Sequence, residues 1–323
     1  MRAVVVEQTG GPEVLQVREL EPESPPAGHV RVEVAACGVN FIDVYERTGG
    51  YPKPLPFVAG SEGAGTVTEL GPEVADVSVG DRVAWAMVEG GGYAEEANLP
   101  AARLVPVPDG VDLDVAAAVM LQGMTAHYLC ESTFRAGPEH VALVHAAAGG
   151  VGSLLTQMLA AKGTRVIATT STPEKAELAR SAGAGDVVLY TETDLVEEVT
   201  RLTDGAGVHV VYDGVGATTF DAGLELLRPR GMMVLYGASS GAVPPFDPQL
   251  LNRQGSLFLT RPTLAHYIDD RDELVERAGA VLAQVASGAL DVRIGGRYGL
   301  EDAGRAHEDL EGRRSTGKLL VIP

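Results

Sequence analysis

The first third of the chain alternates hydrophobic and polar residues in short segments. Val30, Val32 and Val34 alternate with Arg31 and Glu33, a period of two that predicts a half-buried strand. Turns rich in glycine and proline separate further segments of this kind, and many short strands at such spacing predict a compact β-barrel or sandwich. The other strands predicted here are residues 64–70, 82–86 and 93–98, followed by a helix at residues 114–120.

From Val141 onward, β-branched segments alternate with helical ones. Such alternation predicts a doubly wound parallel sheet, whose ligand sits at the carboxyl ends of the strands. A helix around residues 301–310 and a strand at 318–322 follow, and we expect this tail to rejoin the first domain. The six predicted strands are residues 141–144, 164–170, 186–190, 208–212, 232–236 and 256–260, with helices at 153–162 and 173–182.

The change of pattern divides the chain into domains. A length of 323 residues corresponds to about two domains, and a hydrophobic content of 45% is enough for two cores. We therefore expect an α/β protein with a β-rich domain at residues 1–120, a nucleotide-binding domain at residues 121–262, and a C-terminal segment at residues 263–323 that returns to the first domain.

A glycine turn stands between the first strand and the first helix of the second domain. Residues 145–152 read His-Ala-Ala-Ala-Gly-Gly-Val-Gly, the dinucleotide fingerprint with alanine in place of its first glycine. In that reading Gly149 lets a pyrophosphate approach the backbone, and Gly152 lets the helix pack on the strand. Backbone N–H groups at the start of the helix would then bind the phosphate. A plain connecting turn is the alternative.

The end of the second strand of this domain indicates the type of cofactor. An NAD site usually has a carboxylate there, about 20 residues past the fingerprint, but residues 168–172 read Ala-Thr-Thr-Ser-Thr. Lys175 falls in the first turn of the next helix, where a cation is unfavourable unless an anion is bound. Ser171, Thr172 and Lys175 together predict a 2′-phosphate site and favour NADP(H). The alternative is a solvated lysine beside Glu174 and Glu177.

Charge and composition narrow the possible partners. A net charge of −19 argues against nucleic acid, whose binding needs a basic face. No stretch approaches the roughly 18 apolar residues of a membrane helix, and the amino terminus lacks a signal-peptide pattern. The two cysteines, Cys37 and Cys130, indicate neither a disulfide framework nor a four-cysteine zinc lobe, and we expect Cys37 to be a small buried residue. A cytoplasmic enzyme fits these features.

Four segments together resemble a known family: Gly-Val-Asn-Phe-Ile-Asp at 38–43, the glycine turn at 145–152, Val-Tyr-Asp-Gly-Val-Gly at 211–216 and Thr-Arg-Pro at 260–262. They are similar to the zeta-crystallin-type quinone oxidoreductases of the medium-chain dehydrogenase/reductase superfamily, and the similarity covers essentially the whole chain. The resemblance implies a GroES-like β-barrel catalytic domain, closed by the C-terminal tail, and a six-stranded Rossmann domain inserted between. It also implies NADPH as cofactor and a homodimer.

The resemblance also implies roles for individual residues. Asn40 and Tyr45 match positions that line the nicotinamide and substrate cleft, and Tyr51 matches a wall of that cleft. The alternatives are a turn cap for Asn40, packing for the two tyrosines and for Tyr190, and a solvated charge for Arg313. The matches to cofactor-binding positions are Gly150 and Val151 at the pyrophosphate, Ser171, Lys175, Tyr190 and Arg313 around the adenine and its ribose phosphate, and Val215, Gly237, Ser239, Ser240, Phe258 and Thr260 on the far side of the groove.

The zinc alcohol dehydrogenases of the same superfamily offer a contrast. Their catalytic zinc site resembles Cys-Gly-x-Cys followed by Gly-His-Glu, but here Asn40 takes the second cysteine place and Ser61 the histidine place. A catalytic zinc site needs three protein ligands, so we expect no metal. Gln122 stands where members of the quinone oxidoreductase family have lysine, and we give it no catalytic role.

These features predict a zinc-free enzyme that passes a hydride from NADPH to an electron-poor conjugated acceptor, a quinone above all. Asn40 and Tyr45 are the candidates for hydrogen bonds to the developing oxyanion of the acceptor. One alternative is an enoyl or enone reductase on the same scaffold, acting on a conjugated carbonyl compound. The other is a protein that binds NADPH without useful turnover.

Overall fold

A computed structural model describes residues 1–312 and 314–323. The chain forms two compact units, one made of residues 1–124 and 267–323 and the other of residues 125–266. Each unit buries a hydrophobic core of its own. Within the described residues, no helix is long and apolar enough to cross a membrane.

Short strands dominate the amino-terminal part of the chain, as the alternating pattern predicts. The elements of residues 1–128 are β1 (Arg2–Val6), β2 (Leu15–Glu19), β3 (His29–Val39), α1 (Phe41–Thr48), β4 (Phe57–Val58), β5 (Glu62–Leu70), β6 (Arg82–Ala86), β7 (Glu96–Pro100), β8 (Val105–Pro106) and α2 (Leu113–Tyr128).

The central strand of this part is β3, which pairs antiparallel with β5 and β7. Val30, Val32 and Val34 are buried as predicted, but alternation stops at Ala36 because the last residues of β3 are covered on both faces. Strand β7 begins later than the predicted residue 93. The reason is that the backbone of Tyr93 pairs with Val4 and Ala59 instead of with β3.

Helix α2 extends beyond the predicted residues 114–120 and includes Gly123. A Cβ atom at Gly123 would stand 2.7 Å from Val281 Cγ1, so glycine allows a close approach of another segment of the same unit. The conformational cost of glycine in a helix is offset by this packing.

The second unit is the predicted alternation of strands and helices. Its strands form a parallel sheet in the order β11-β10-β9-β12-β13-β14 within the described residues, which confirms the doubly wound, six-stranded sheet. The order reverses direction between β9 and β12, where such sheets bind their ligands. The elements are β9 (Val141–Val144), α3 (Gly150–Ala161), β10 (Arg165–Thr170), α4 (Pro173–Ser181), β11 (Asp186–Leu189), α5 (Leu195–Leu202), β12 (Val208–Asp213), α6 (Phe220–Glu225), β13 (Leu227–Leu235), α7 (Gln249–Arg253) and β14 (Phe258–Thr260).

The C-terminal segment returns to the β-rich unit, as expected. Its elements are α8 (Arg271–Ala286), β15 (Ile294–Gly299), α9 (Ala303–Glu311) and β16 (Lys318–Ile322). Strand β16 pairs antiparallel with β3, so that Leu319 lies opposite Val39 and Val321 lies opposite Cys37. The end of β3, where the polar residues Asn40 and Asp43 follow, is thereby held against the end of the chain.

Candidate functional site

The glycine turn connects β9 to α3 and leaves the start of the helix open. Ala146 has a left-handed backbone with φ of +51°, and its carbonyl oxygen accepts a hydrogen bond of 2.8 Å from the N–H of Gly149. Gly149 is the N-cap of α3, and no side chain of the described residues caps the helix there. The first N–H groups of a helix lack partners within it, so this end can bind a phosphate.

The two glycines predicted to matter differ in the space around them. A Cβ atom at Gly152 would collide with the carbonyl oxygen of Ala146 and stand 2.9 Å from Ala147 Cα, so only glycine lets α3 pack this closely on the loop. At Gly149 the nearest atom would be Ala146 O at 3.1 Å, and the surroundings are otherwise open. A cradle of this kind fits the pyrophosphate of a dinucleotide.

The ends of β10 and β11 bring three of the predicted cofactor residues together. Thr172 caps α4 by accepting a hydrogen bond of 3.3 Å from the backbone N–H of Lys175. Thr191 Oγ1 donates to the carbonyl of Ser171 at 3.0 Å, and the neighbouring Tyr190 is 43% exposed. The backbones of Ser171, Lys175 and Tyr190 therefore lie near one another at the carboxyl edge of the sheet, beside the start of α4.

One carboxylate competes for the start of α4. The Glu174 side chain accepts a hydrogen bond from its own backbone N–H, which lowers the pKa of that carboxyl, with a smaller contribution from Thr172. Glu174 is exposed, so it can turn into solvent when a phosphate takes the same N–H groups.

The loops after β12 and β13 bring together another four predicted residues: Val215, Gly237, Ser239 and Ser240. Ser240 Oγ donates to the carbonyl of Val215 at 2.9 Å, and the N–H of Ser239 donates to Gly214 O at 3.2 Å. The loops approach closely because a Cβ atom at Gly237 would stand 2.5 Å from Gly214 O.

A buried carboxylate that had no role in the sequence interpretation organises these loops. Asp213 accepts hydrogen bonds from the N–H groups of Val215 at 2.7 Å and Gly216 at 3.0 Å, and from Thr219 Oγ1 at 2.8 Å. The position of Asp213 directly after the apolar residues 210–212, at the end of β12, was the signal that could have identified it.

The remaining predicted cofactor residues are Thr260, Phe258 and Arg313. Thr260 ends β14 opposite Val234, near the loop that follows β13. Phe258 begins the same strand two residues earlier, opposite Met232, and is 56% exposed. Arg313 lies outside the described residues.

In the β-rich unit, Asn40 lies in a buried polar cluster. Its Nδ2 donates to Glu62 Oε2 at 2.7 Å and to Gly38 O at 3.3 Å, and its Oδ1 accepts from Lys318 Nζ at 2.7 Å. Both amide hydrogens are thus in use. A direct hydrogen bond from Asn40 to an acceptor, as the sequence predicts, would require breaking one of these bonds.

Glu62 and Lys318 form the centre of this cluster. Lys318 Nζ lies 2.5 Å from Glu62 Oε2, and the exposed fractions of the two side chains are 1% and 0%. Glu62 Oε1 also accepts from the backbone N–H of Leu121 at 2.5 Å. Gly38 makes room for the pair, because a Cβ atom there would collide with Glu62 Oε2 and stand 2.6 Å from Lys318 Cε.

Asp43 is a second buried carboxylate, in the first turn of α1. It accepts from the backbone N–H of Asn40 at 2.8 Å, from Ser61 Oγ at 3.3 Å and from Tyr93 Oη at 3.2 Å. Burial raises the pKa of Asp43 to about 7, although the hydrogen bond from Asn40 and the charge of Lys318 lower it. Burial disfavours the ionised carboxylate, whereas the three hydrogen-bond donors favour it.

Tyr45 and Tyr51 form an aromatic surface on the same unit. Their ring centroids lie 5.2 Å apart, and Phe41 extends the set at 6.2 Å from Tyr45. The N–H of Tyr51 donates to Tyr45 O at 2.9 Å, and Tyr51 is 44% exposed. Rings in this arrangement can stack on a flat conjugated molecule, and the phenol groups can donate hydrogen bonds to it.

The residues in the places of zinc ligands do not suit zinc. Cys37 Sγ donates to Gly92 O at 3.0 Å, and burial raises the pKa of this thiol far above its usual value. Zinc binds the thiolate form, whereas Asn40 and Ser61 already serve Glu62 and Asp43. Among the described residues, no group of three or more His, Cys, Asp or Glu side chains could hold a metal ion.

Comparison with known proteins supplies the family. Residues 26–109 match the model of the alcohol dehydrogenase GroES-like domain, and residues 150–273 match that of the zinc-binding dehydrogenases. A quinone oxidoreductase of Pseudomonas aeruginosa is 44% identical, with 97% of each chain covered. A 2-haloacrylate reductase of a Burkholderia species is 40% identical, over 99% of this chain and 98% of that protein. The crystal structure of Escherichia coli quinone oxidoreductase complexed with NADPH superposes with a TM-score of 0.97 at 41% identity, covering 100% of both chains.

Proposed function

Because the chain belongs to the quinone oxidoreductase family of the medium-chain dehydrogenase/reductase superfamily, we propose that it is a zinc-free, NADPH-dependent quinone reductase. The observation that carries the proposal is the replacement of the zinc ligands by Asn40 and Ser61, whose side chains serve buried carboxylates. A reaction in this unit must then proceed without a metal, and a quinone needs none because it accepts a hydride readily.

The cofactor proposal rests on the loops that follow β9, β10, β11, β12 and β13 at the carboxyl edge of the parallel sheet. Gly149, Gly150, Val151 and Gly152 would hold the pyrophosphate, and Ser171, Lys175 and Tyr190 would surround the ribose phosphate and adenine. Arg313 remains a candidate for the same phosphate by resemblance alone. The far side of the groove would comprise Val215, Gly237, Ser239, Ser240, Phe258 and Thr260.

NADPH supplies the hydride, and a proton completes the reduction of the quinone to a hydroquinone. The protein would hold the flat acceptor against Tyr45 and Tyr51 and exclude water. We assign the hydrogen bond to the acceptor oxygen to Tyr45. Asn40 receives a different role from the one that the sequence predicts, because both of its amide hydrogens are in use: it orients Glu62 and Lys318 at the start of α1.

A second candidate function is reduction of a carbon–carbon double bond conjugated to a carbonyl. The 40% identity to a 2-haloacrylate reductase favours it. Such a reaction needs a proton delivered to carbon. An assay of NADPH oxidation with quinones, enones and enoyl thioesters separates the two functions, and the absence of turnover with all of them would leave NADPH binding alone.

The proposal extends to organisation and location. The catalytic domain would comprise residues 1–120 and the returning segment 263–323, and the NADP-binding domain residues 121–262. We propose a homodimer, supported by Phe258, a large exposed residue on a strand at the edge of the sheet. A net charge of −19 supports a partner set without nucleic acid. Two buried free cysteines support a cytoplasmic enzyme, and we propose no membrane partner.

A further inference from the structure

Two buried charged residues hold the short helix α1 on one face. Asp43 and Arg47 are four residues apart and therefore lie on the same side of the helix, with exposed fractions of 3% and 2%. Tyr45 is midway between them in the sequence and points elsewhere. A helix of eight residues has little stability of its own, so its position depends on what Asp43 and Arg47 contact.

Tyr93 and His307 connect these two residues by a chain of hydrogen bonds that begins and ends on α1. Arg47 Nη1 lies 3.3 Å from His307 Nδ1, His307 Nε2 lies 3.0 Å from Tyr93 Oη, and Tyr93 Oη lies 3.2 Å from Asp43 Oδ2. His307 is on α9 and is fully buried. Arg47 also reaches Glu311 on the same helix, at 2.8 Å. We call Asp43, Arg47, Tyr93 and His307 the α1 clamp.

The protons of the α1 clamp can be assigned, because each group allows one arrangement. Arg47 only donates, so His307 Nδ1 accepts. Burial, with a smaller contribution from Arg47, lowers the pKa of His307 to about 3, which leaves the imidazole neutral with its proton on Nε2. His307 therefore donates to Tyr93 Oη, and the Tyr93 hydroxyl donates to Asp43. This chain of hydrogen bonds cannot relay protons from solvent, since Arg47 does not release one.

The direction of these hydrogen bonds stabilises the ionised form of Asp43. The groups facing Asp43 are Tyr93, Ser61, Cys37 on β3, Glu62 on β5, Lys318 on β16 and Glu46 on its own helix. Of these groups, Lys318 carries the positive charge that lowers the pKa of Asp43.

We propose that Arg47, His307 and Tyr93 are positioning residues of the reductase: through Asp43 they fix α1, and with it the ring of Tyr45 against Tyr51. The inference rests on the proposed contact of Tyr45 with the acceptor. It assigns a function in the reaction to the C-terminal helix α9, which carries no residue of the predicted site among those described.

The test compares His307→Leu with His307→Gln. Glutamine can accept a hydrogen bond from Arg47 through Oε1 and donate one to Tyr93 through Nε2, so it preserves the direction of both hydrogen bonds. Leucine can form neither of them. We expect kcat for a quinone to fall about tenfold or more in His307→Leu, because two buried hydrogen bonds are lost. His307→Gln should stay within about threefold of wild type. The Kd of NADPH should not change in either variant, because the cofactor residues are in the other unit.

A pH profile adds a measurement that a purely structural role would not affect. Tyr93→Phe removes a hydrogen-bond donor to the Asp43 carboxylate and so raises the pKa of Asp43. The packing around the aromatic ring at position 93 stays nearly unchanged. The acid limb of kcat/KM should move to higher pH by about one unit. This variant also keeps the test decisive if His307→Leu does not fold.

Hydrogen exchange of the peptide that contains α1 distinguishes the ways in which the inference could fail. Faster exchange in His307→Leu together with an unchanged kcat would overturn the positioning role, and so would equal losses of activity in the leucine and glutamine variants. An acid limb that stays in place in Tyr93→Phe would overturn the role of Asp43. A wild-type protein that reduces no quinone would refute the proposed function. The α1 clamp itself would be refuted if the α1 peptide exchanged at the same rate in wild type, His307→Leu and His307→Gln.

Discussion

The carboxylate of Glu62 and the ammonium group of Lys318 lie 2.5 Å apart, and 256 residues separate them in the sequence. The pair joins β5 to the last strand of the chain, and Asn40 bridges it at the end of β3. The last strand of the chain therefore fixes the start of α1. Helix α1 carries Tyr45, one of the two tyrosines of the aromatic surface.

Removing one partner of this buried ion pair should destabilise the protein strongly. We expect Lys318→Met to lower the free energy of unfolding by about 3–5 kcal/mol, because the Glu62 carboxylate would be left buried without its counter-ion. Denaturant unfolding measures the change. As a control, Arg18→Met breaks an exposed pair with Glu7 and should cost at most about 1 kcal/mol. A loss that small in Lys318→Met would contradict the account of the cluster.

The buried Asp43 carboxyl should make stability fall as pH rises. Its pKa is about 7 in the folded protein, against 3.8 for an unperturbed aspartate, so between these values the folded protein binds a proton that the unfolded chain has released. The contribution to stability is complete below the lower value and is lost as pH rises towards the upper one, at up to about 1.4 kcal/mol per pH unit.

Asp43→Asn should remove this slope. The measurement is the difference in unfolding free energy between wild type and Asp43→Asn across the acidic and neutral range. A difference that does not depend on pH would show that the carboxyl is not perturbed.

Much of the fold follows from local sequence patterns, whereas the polar cluster does not. The period-two alternation at Val30, Val32 and Val34 and the spacing of Gly149 and Gly152 are local signals, and each led to the observed element. Asn40 was identified by resemblance, but its bond to Lys318 spans 278 residues, and the bond between Tyr93 and His307 spans 214. No pattern within a window of sequence contains such pairs, so neither the bond of Asn40 to Lys318 nor that of Tyr93 to His307 could be predicted.

We expect the purified enzyme to contain well under one zinc per chain and to keep its activity in the presence of a chelator. The physical reason is the chemistry of the three side chains: a buried thiol with a raised pKa at Cys37 and the weak ligands Asn40 and Ser61. Elemental analysis, paired with an activity assay before and after chelation, measures both quantities. Stoichiometric zinc that is needed for turnover would refute the zinc-free proposal.

Lys175 should carry much of the preference for NADPH over NADH. A hydrogen bond to a charged group contributes roughly 1.5–3 kcal/mol, equivalent to about ten- to a hundredfold in affinity. We expect Lys175→Ala to weaken NADPH binding by about this factor and to leave NADH nearly unchanged. Arg180→Ala, at the other end of α4, is the matched control and should affect neither cofactor. Equal weakening of both cofactors by Lys175→Ala would mean that the lysine is structural.

The central claim is that the acceptor drives the reaction, so that no metal and no placed acid is required. The most direct test is kcat/KM with saturating NADPH for a benzoquinone, a naphthoquinone, an enone and an enoyl thioester. We predict that both quinones are reduced faster than either unsaturated carbonyl compound. The hydride converts a quinone into an aromatic phenolate, whereas an alkene must also be protonated at carbon. A preference of about tenfold or more for the enone or the thioester, equivalent to about 1.4 kcal/mol in the transition state, would contradict the quinone assignment and favour alkene reduction.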